Sequence, residues 1–151
     1  MALKPDRIEL PNGSRIKYFM NEVAEAGIIV NLDSPGGDGL DNPDSTVSVP
    51  TGPSGSPAGV LMNGVVDLDL TRQHINQHKD EVQVGNKVAL MKHGMCRTNK
   101  LKSGDDPNAG DAAHYTEDGE FTSSVTDSDR IGTFSGPVDA EGYIEVEVDI
   151  T

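Results

Sequence analysis

From Gly85 onward the chain consists of short runs in which apolar and polar residues alternate, each stopped by a glycine-bearing turn. "GNKVALMKHGMCRTN" is one such run. "GDAAHYTEDGEFTSS" folds back around Asp118-Gly119, and "IGTFSGPV" with "YIEVEVDI" around Glu141-Gly142. A period of two belongs to a strand with one buried face, and Asp-Gly and Glu-Gly pairs suit tight hairpin turns. Short strands at regular spacing predict a small antiparallel β-barrel or sandwich. The fold class is mainly β, with little helix.

The first half is less regular. In "RIELPNGSRIKYF" the Asn12-Gly13 pair stands between Ile8, Leu10 and Ile16, Tyr18, which is a hairpin signal. "MNEVAEAGIIVNL" reads as a short helix ending at Gly27, then a strand over 28–32. Between 33 and 59, Gly and Pro supply 11 of 27 positions. Such a stretch has little side chain to bury and breaks both periodicities, so it reads as an extended arm or long loop, ordered where it lies on something else. Further on, Val66, Leu68 and Leu70 alternate with Asp67 and Asp69 as a half-buried strand. "TRQHINQHKDE" reads as a short exposed helix that Thr71 could cap and only Ile75 could anchor. The chain thus divides into an N-terminal hairpin and helix segment (1–32), an arm (33–59) and a β-rich body (60–151).

Composition sets how much core these strands can share. Hydrophobic residues make up 34% of the 151, aromatic residues 4%, and there is no Trp. The core must be small and built from Val, Ile and Leu, and assembly would relieve the shortage by burying more apolar surface. Acids outnumber bases 25 to 12, for a net charge of −13. Phosphate backbones and anionic headgroups would be repelled, so neither nucleic acid nor membrane is an expected partner. A single Cys96 makes no internal disulfide, and the N-terminus lacks a signal-like apolar region, so synthesis in a reducing cytoplasm is expected.

Chemistry-bearing residues are sparse. "GGDGLDNPD" matches part of a calcium nonapeptide, and Asp33, Asp38, Asp41 and Asp44 could gather a hard cation. A solvated acidic turn fits the same residues. His74 and His78 stand four apart, and His93 with Cys96 gives a second two-ligand spacing, with His114 isolated beyond. Polar surface histidines account for both. Cys96 with a remote His is the minimum set for a thiol nucleophile, but its strand position favours a small buried residue. Glu145, Glu147 and Asp149 fall every second residue, on one solvent-facing side of a strand. A wet row of acids does not separate two pKa values as general acid–base catalysis requires. No enzyme and no cofactor is expected.

The stretches "SPAGVLMNGVVDLDLTRQHINQHKDEVQVGNKVAL", "GMCRTN", "AGDAAHYTEDGEFT" and "IGTFSGPVDAEGYIEVEVDI" together resemble capsid decoration (cement) proteins of tailed bacteriophages. The resemblance spans roughly 56–151. It implies a β-tulip-like body, no catalysis, and a homotrimer on the virion's outer capsid surface that binds the major capsid protein and braces the expanded head. On that implication Val60, Leu61 and Met62, with Ile8 and Leu10 of the first hairpin, are the expected capsid- or neighbour-contacting residues. The alternative from another class is a calcium-dependent β-rich binding module of a tail or secreted assembly, using Asp33, Asp38, Asp41 and Asp44.

Overall fold

The computed structural model describes residues 14–20, 22–32, 46–52, 55–67, 81–125 and 129–150. Twelve strands are present among them and no helix. β1 (Ser14–Met20), β2 (Ile29–Leu32), β3 (Thr46–Ser48), β4 (Pro57–Leu61) and β7 (Lys87–Met91) close into a barrel in the order β1-β3-β2-β4-β7. β8 (His93–Thr98), β9 (Ala112–Tyr115), β10 (Phe121–Thr122), β11 (Gly132–Phe134) and β12 (Ile144–Asp149) form a curled sheet ordered β10-β9-β11-β12-β8. A third, two-stranded ribbon pairs β5 (Gly64–Val66) with β6 (Glu81–Gln83).

The mainly β class is as the alternation predicted, and the choice between barrel and sandwich resolves as a closed barrel beside a curled sheet. Every pairing in the two larger sheets is antiparallel except β1 with β3, and β5 with β6 is also parallel. Both C-terminal hairpins form: Phe121 pairs with Tyr115 across the Asp118-Gly119 turn, and Gly132 with Val148 across the Glu141-Gly142 turn. Gly119 and Gly142 sit at φ 81° and 84°, where an L side chain is strained.

Three sequence expectations give way. The expected helix after Met20 is absent. Met20 ends β1, Ala24 bridges Val65 in both directions at 3.0 and 2.8 Å, and Val23 is 63% exposed. Too few apolar residues line a helical stripe there, whereas Met20 is fully buried at the end of β1 and Ile28 is buried just ahead of β2. The run after Gly85 is not one strand. It bends at Lys92, giving β7 to the barrel and β8 to the curled sheet. The Gly/Pro-rich stretch 33–59 is not all arm. Thr46–Ser48 lies between β1 and β2, and Pro57 opens β4, where the first residue of a strand tolerates a missing N–H. The barrel therefore takes strands from all three segments into which the sequence divides. The strand expected through Leu70 is described only as β5, and of "TRQHINQHKDE" only Glu81 is described, opening β6. The Asn12-Gly13 turn lies outside the described residues.

Two apolar clusters follow. Tyr18, Met20, Val30, Val47, Ala58, Val88 and Leu90 belong to the cluster that the barrel strands supply. The other cluster takes Tyr115, Phe121, Phe134, Ile144, Val146 and Val148 from the curled sheet, and Ile29, Val60 and Met91 from the barrel. Alternate residues of β7 serve both: Val88 and Leu90 turn to the barrel cluster and Met91 to the sheet. One barrel wall thus has two apolar faces, which is why the molecule manages with only three Phe and no Trp.

Candidate functional surface

The residues best placed to meet another molecule lie on the solvent side of β8 and β12. Along β12 the inward Ile144, Val146 and Val148 are buried, while Glu145, Glu147 and Asp149 project outward. Antiparallel register sets Glu145 beside Arg97, Glu147 beside Met95 and Asp149 beside His93. His93 Nδ1 lies 2.8 Å from Asp149 Oδ1. Arg97 Nη2 donates to Asp139 Oδ2, and Asp139 Oδ1 accepts the backbone N–H groups of Tyr143 and Glu141, each at 2.9 Å. Those bonds, led by the Tyr143 amide and followed by Arg97, hold the Asp139 carboxyl down at about 2. The latch closes the β11–β12 loop onto β8.

A shallow polar depression beside this row is lined by Arg130, Gly132, Thr133, Glu147 and Asp149. Arg130 is already used locally. Its Nε donates to the Gly132 carbonyl at 3.1 Å and its Nη2 to Thr133 Oγ1 at 2.6 Å. On the far side of the sheet, Asp105 receives Thr122 Oγ1 at 2.7 Å and the Ser123 amide and hydroxyl at 2.6 Å. Burial pushes its carboxyl up, but the hydrogen bonds from Ser123 and Thr122 outweigh burial and leave it low. This pins the polar loop "KSGDDPNAG" to β10. Lys100 Nζ lies 2.8 Å from Glu25 Oε2 and ties the same loop's start to the barrel side.

None of these groups makes a nucleophile. Cys96 is fully buried, and burial first, then the Glu145 charge, pushes its thiol up to about 12. His93 is on the opposite face of β8 from Cys96, since odd and even residues alternate. His114 stands on β9, with β11 and β12 between it and β8. The pairs His93–Cys96 and Cys96–His114 are therefore not brought together. Among the described residues no group of three or more His, Cys, Asp or Glu is placed to hold a metal. Asp33, Asp38, Asp41, Asp44, His74, His78, Ile8 and Leu10 lie outside the described residues. Val60 and Leu61 are 0% exposed, one in each apolar cluster. Of the three, Met62 is half-buried, packed against the curled-sheet cluster. The Arg97–Asp139 latch was missed from the sequence. The two residues are 42 apart, and only the β8–β12 register joins them. No helix among the described residues is long and apolar enough to cross a membrane.

No protein-family model matches the chain, and no curated protein does. Among solved structures it is similar to a chain of "The capsid of Myoviridae Phage XM1", with a TM-score of 0.59 and 11% sequence identity. The match covers 99% of this chain and 92% of the other. Likeness at that identity establishes a shared fold that runs through barrel and curled sheet alike.

Proposed function

We propose that this chain is a structural protein of a phage head, a decoration protein that binds the outside of the expanded capsid and bridges major capsid protein subunits. The observation that carries the reading is the near full-length fold likeness to a chain of a phage capsid structure. It supports a capsid-related protein; the finer reading as a cement protein rests on the resemblance carried by residues 56–151. The site chemistry is consistent with it. On the β8–β12 surface His93 is taken up by Asp149 and Arg97 by Asp139, and the lone thiol is sealed in the core. Copies act as a homotrimer, with Met62 and the Ile8–Leu10 stretch offered to neighbours or capsid.

Mechanism follows from mass action. A protein that binds only the expanded shell stabilises that state by RT ln(1 + [L]/Kd), about 2.7 kcal/mol per site at a hundredfold excess over Kd. Many sites on one shell sum that effect. The test is co-sedimentation of purified protein with expanded shells stripped of decoration and, in parallel, with unexpanded procapsids. Saturable binding to expanded shells alone is expected. Binding to neither overturns the reading.

A further inference from the structure

The curled sheet ends in two edges of different kinds. β10 is two residues long, and its outer side is already occupied. The Phe121 N–H donates to the Lys100 carbonyl and the Phe121 carbonyl accepts the Lys102 N–H, each at 2.8 Å. β8 is six residues long and, among the described residues, pairs only with β12. The Ile150 N–H donates to the Lys92 carbonyl at 2.9 Å, which fixes the parity of that ladder. Gly94, Cys96 and Thr98 bond to Val148, Val146 and Ile144. The backbone groups of His93, Met95 and Arg97 therefore point the other way, and no backbone partner meets them among the described residues.

Buried backbone groups are almost always paired, so an unpartnered row is where water, or another strand, reaches. Natural edges are usually blunted by shortness, by proline, by a bulge or by projecting charge. β8 has an unbroken register and no proline. Its two basic outward side chains are drawn back along their own sheet, His93 to Asp149 and Arg97 to Asp139. Met95 remains as the uncharged, half-exposed centre of the edge.

We propose that β8 of one copy pairs antiparallel with β8 of a second copy across a twofold axis at Met95. Centred there, the unused N–H and C=O groups at 93, 95 and 97 match one another, and the two sheets become one of ten strands. The side chains agree. Met95 meets Met95 of the second copy. His93 lies opposite Arg97 of the second copy, flanked by Asp149 on one side and by Glu145 of the second copy on the other. The His93–Arg97 pair is thus bracketed by carboxylates. One strand pair buries less than the roughly 1,000 Å² that a free-standing interface clears, so the contact strengthens where copies are held close together. The inference rests on strand geometry and is independent of the capsid reading.

The test uses the full chain with Met95→Cys, exposed to oxidised glutathione. Opposed residues of a bonded antiparallel pair have Cα atoms about 5.5 Å apart, within disulfide reach. Val125→Cys, at a position 75% exposed, is the comparison. Covalent dimer should form at least tenfold faster in Met95→Cys than in Val125→Cys at equal concentration. In sedimentation equilibrium at high protein concentration, Met95→Pro should lose pairwise association, since the N–H it deletes serves no bond to β12. Its fold is checked by circular dichroism. Equal cross-linking rates, or undiminished association of a folded Met95→Pro, overturn the proposal.

Discussion

The barrel and the curled sheet are about the same size but are closed in different ways. In the sheet, β9 with β10 and β11 with β12 are neighbours in the chain, joined by turns at Gly119 and Gly142. In the barrel, β1 closes on β7 with Ser14 opposite Met91, β4 joins β7 with Val60 opposite Met91, and β3 slots in parallel to β1. Long loops must be closed before any of those barrel contacts forms, at a cost that rises with the logarithm of loop length. Hairpins carry their own instructions, whereas a barrel of distant strands depends on a wall that something else holds flat. Ile29, Val60 and Met91 supply that wall's outer face, packed in the curled-sheet cluster. The difference implies that the barrel borrows order from the sheet.

The largest effects should come from attacking either cluster, and they test whether the halves are separable. Phe134→Ala empties a fully buried position in the sheet cluster and should cost about 4 kcal/mol. Leu90→Ala does the same in the barrel and should cost about 3 kcal/mol. Because the two clusters share the β2–β4–β7 wall, each variant should lower one common melting transition in calorimetry. Two separated transitions in either variant would break the argument for a shared wall.

Next in size is the place where the sheet's hairpin sits on the barrel. The Gly119 carbonyl accepts the Ile29 N–H at 2.8 Å, and a Cβ at Gly119 would collide with the Ile29 carbonyl. With φ at 81° as well, Gly119→Ala should cost about 2–3 kcal/mol in denaturant unfolding. Gly142 has nearly the same φ but open space around its would-be Cβ. Gly142→Ala should therefore cost only about 1 kcal/mol. Equal costs would mean that backbone strain, rather than docking on the barrel, governs both turns. Tyr115, buried in the sheet cluster, is hydrogen-bonded to Asn31 of β2 across the same junction. Tyr115→Phe removes that bond and should cost about 1 kcal/mol.

The same contrast explains what could be read from sequence. Both C-terminal hairpins were legible because alternation and turn residues are local, and so was the buried setting of Cys96 within "GMCRTN". The barrel was not, since β3 is three residues, Thr46–Ser48, inside a Gly/Pro-rich stretch, and its partners lie at Phe19–Met20 and Asn31–Leu32. No periodicity extends over three residues. The bend at Lys92 was equally silent, because β7 and β8 alternate in the same way on either side of it. On the surface, the acid row of β12 was legible as a solvent face. Its partners His93 and Arg97 depend on a register between segments some fifty residues apart, with Asp149 opposite His93.

The smallest effect separates the halves by pH. Asp139 is held at about 2 by the Tyr143 amide and Arg97, against about 3.9 for an unfolded aspartate. A carboxyl lowered on folding contributes stability that is fully present above its unfolded value and is lost as pH falls through its folded one. The latch should thus act at neutral pH and fade between about pH 4 and pH 2. Asp139→Asn keeps an oxygen for the Glu141 and Tyr143 amides but removes the charge that Arg97 meets. Its melting temperature should lie below wild type at pH 7, and the two curves should converge towards pH 2. Asp105, also lowered, pins its loop to β10 of the same curled sheet, so acid should loosen this half first. Exchange of amide hydrogens at pH 3 should then rise in β8, β10 and β12 before it rises in β2 and β7. Faster exchange in the barrel strands would show that acid acts first on the barrel rather than through Asp139 and Asp105.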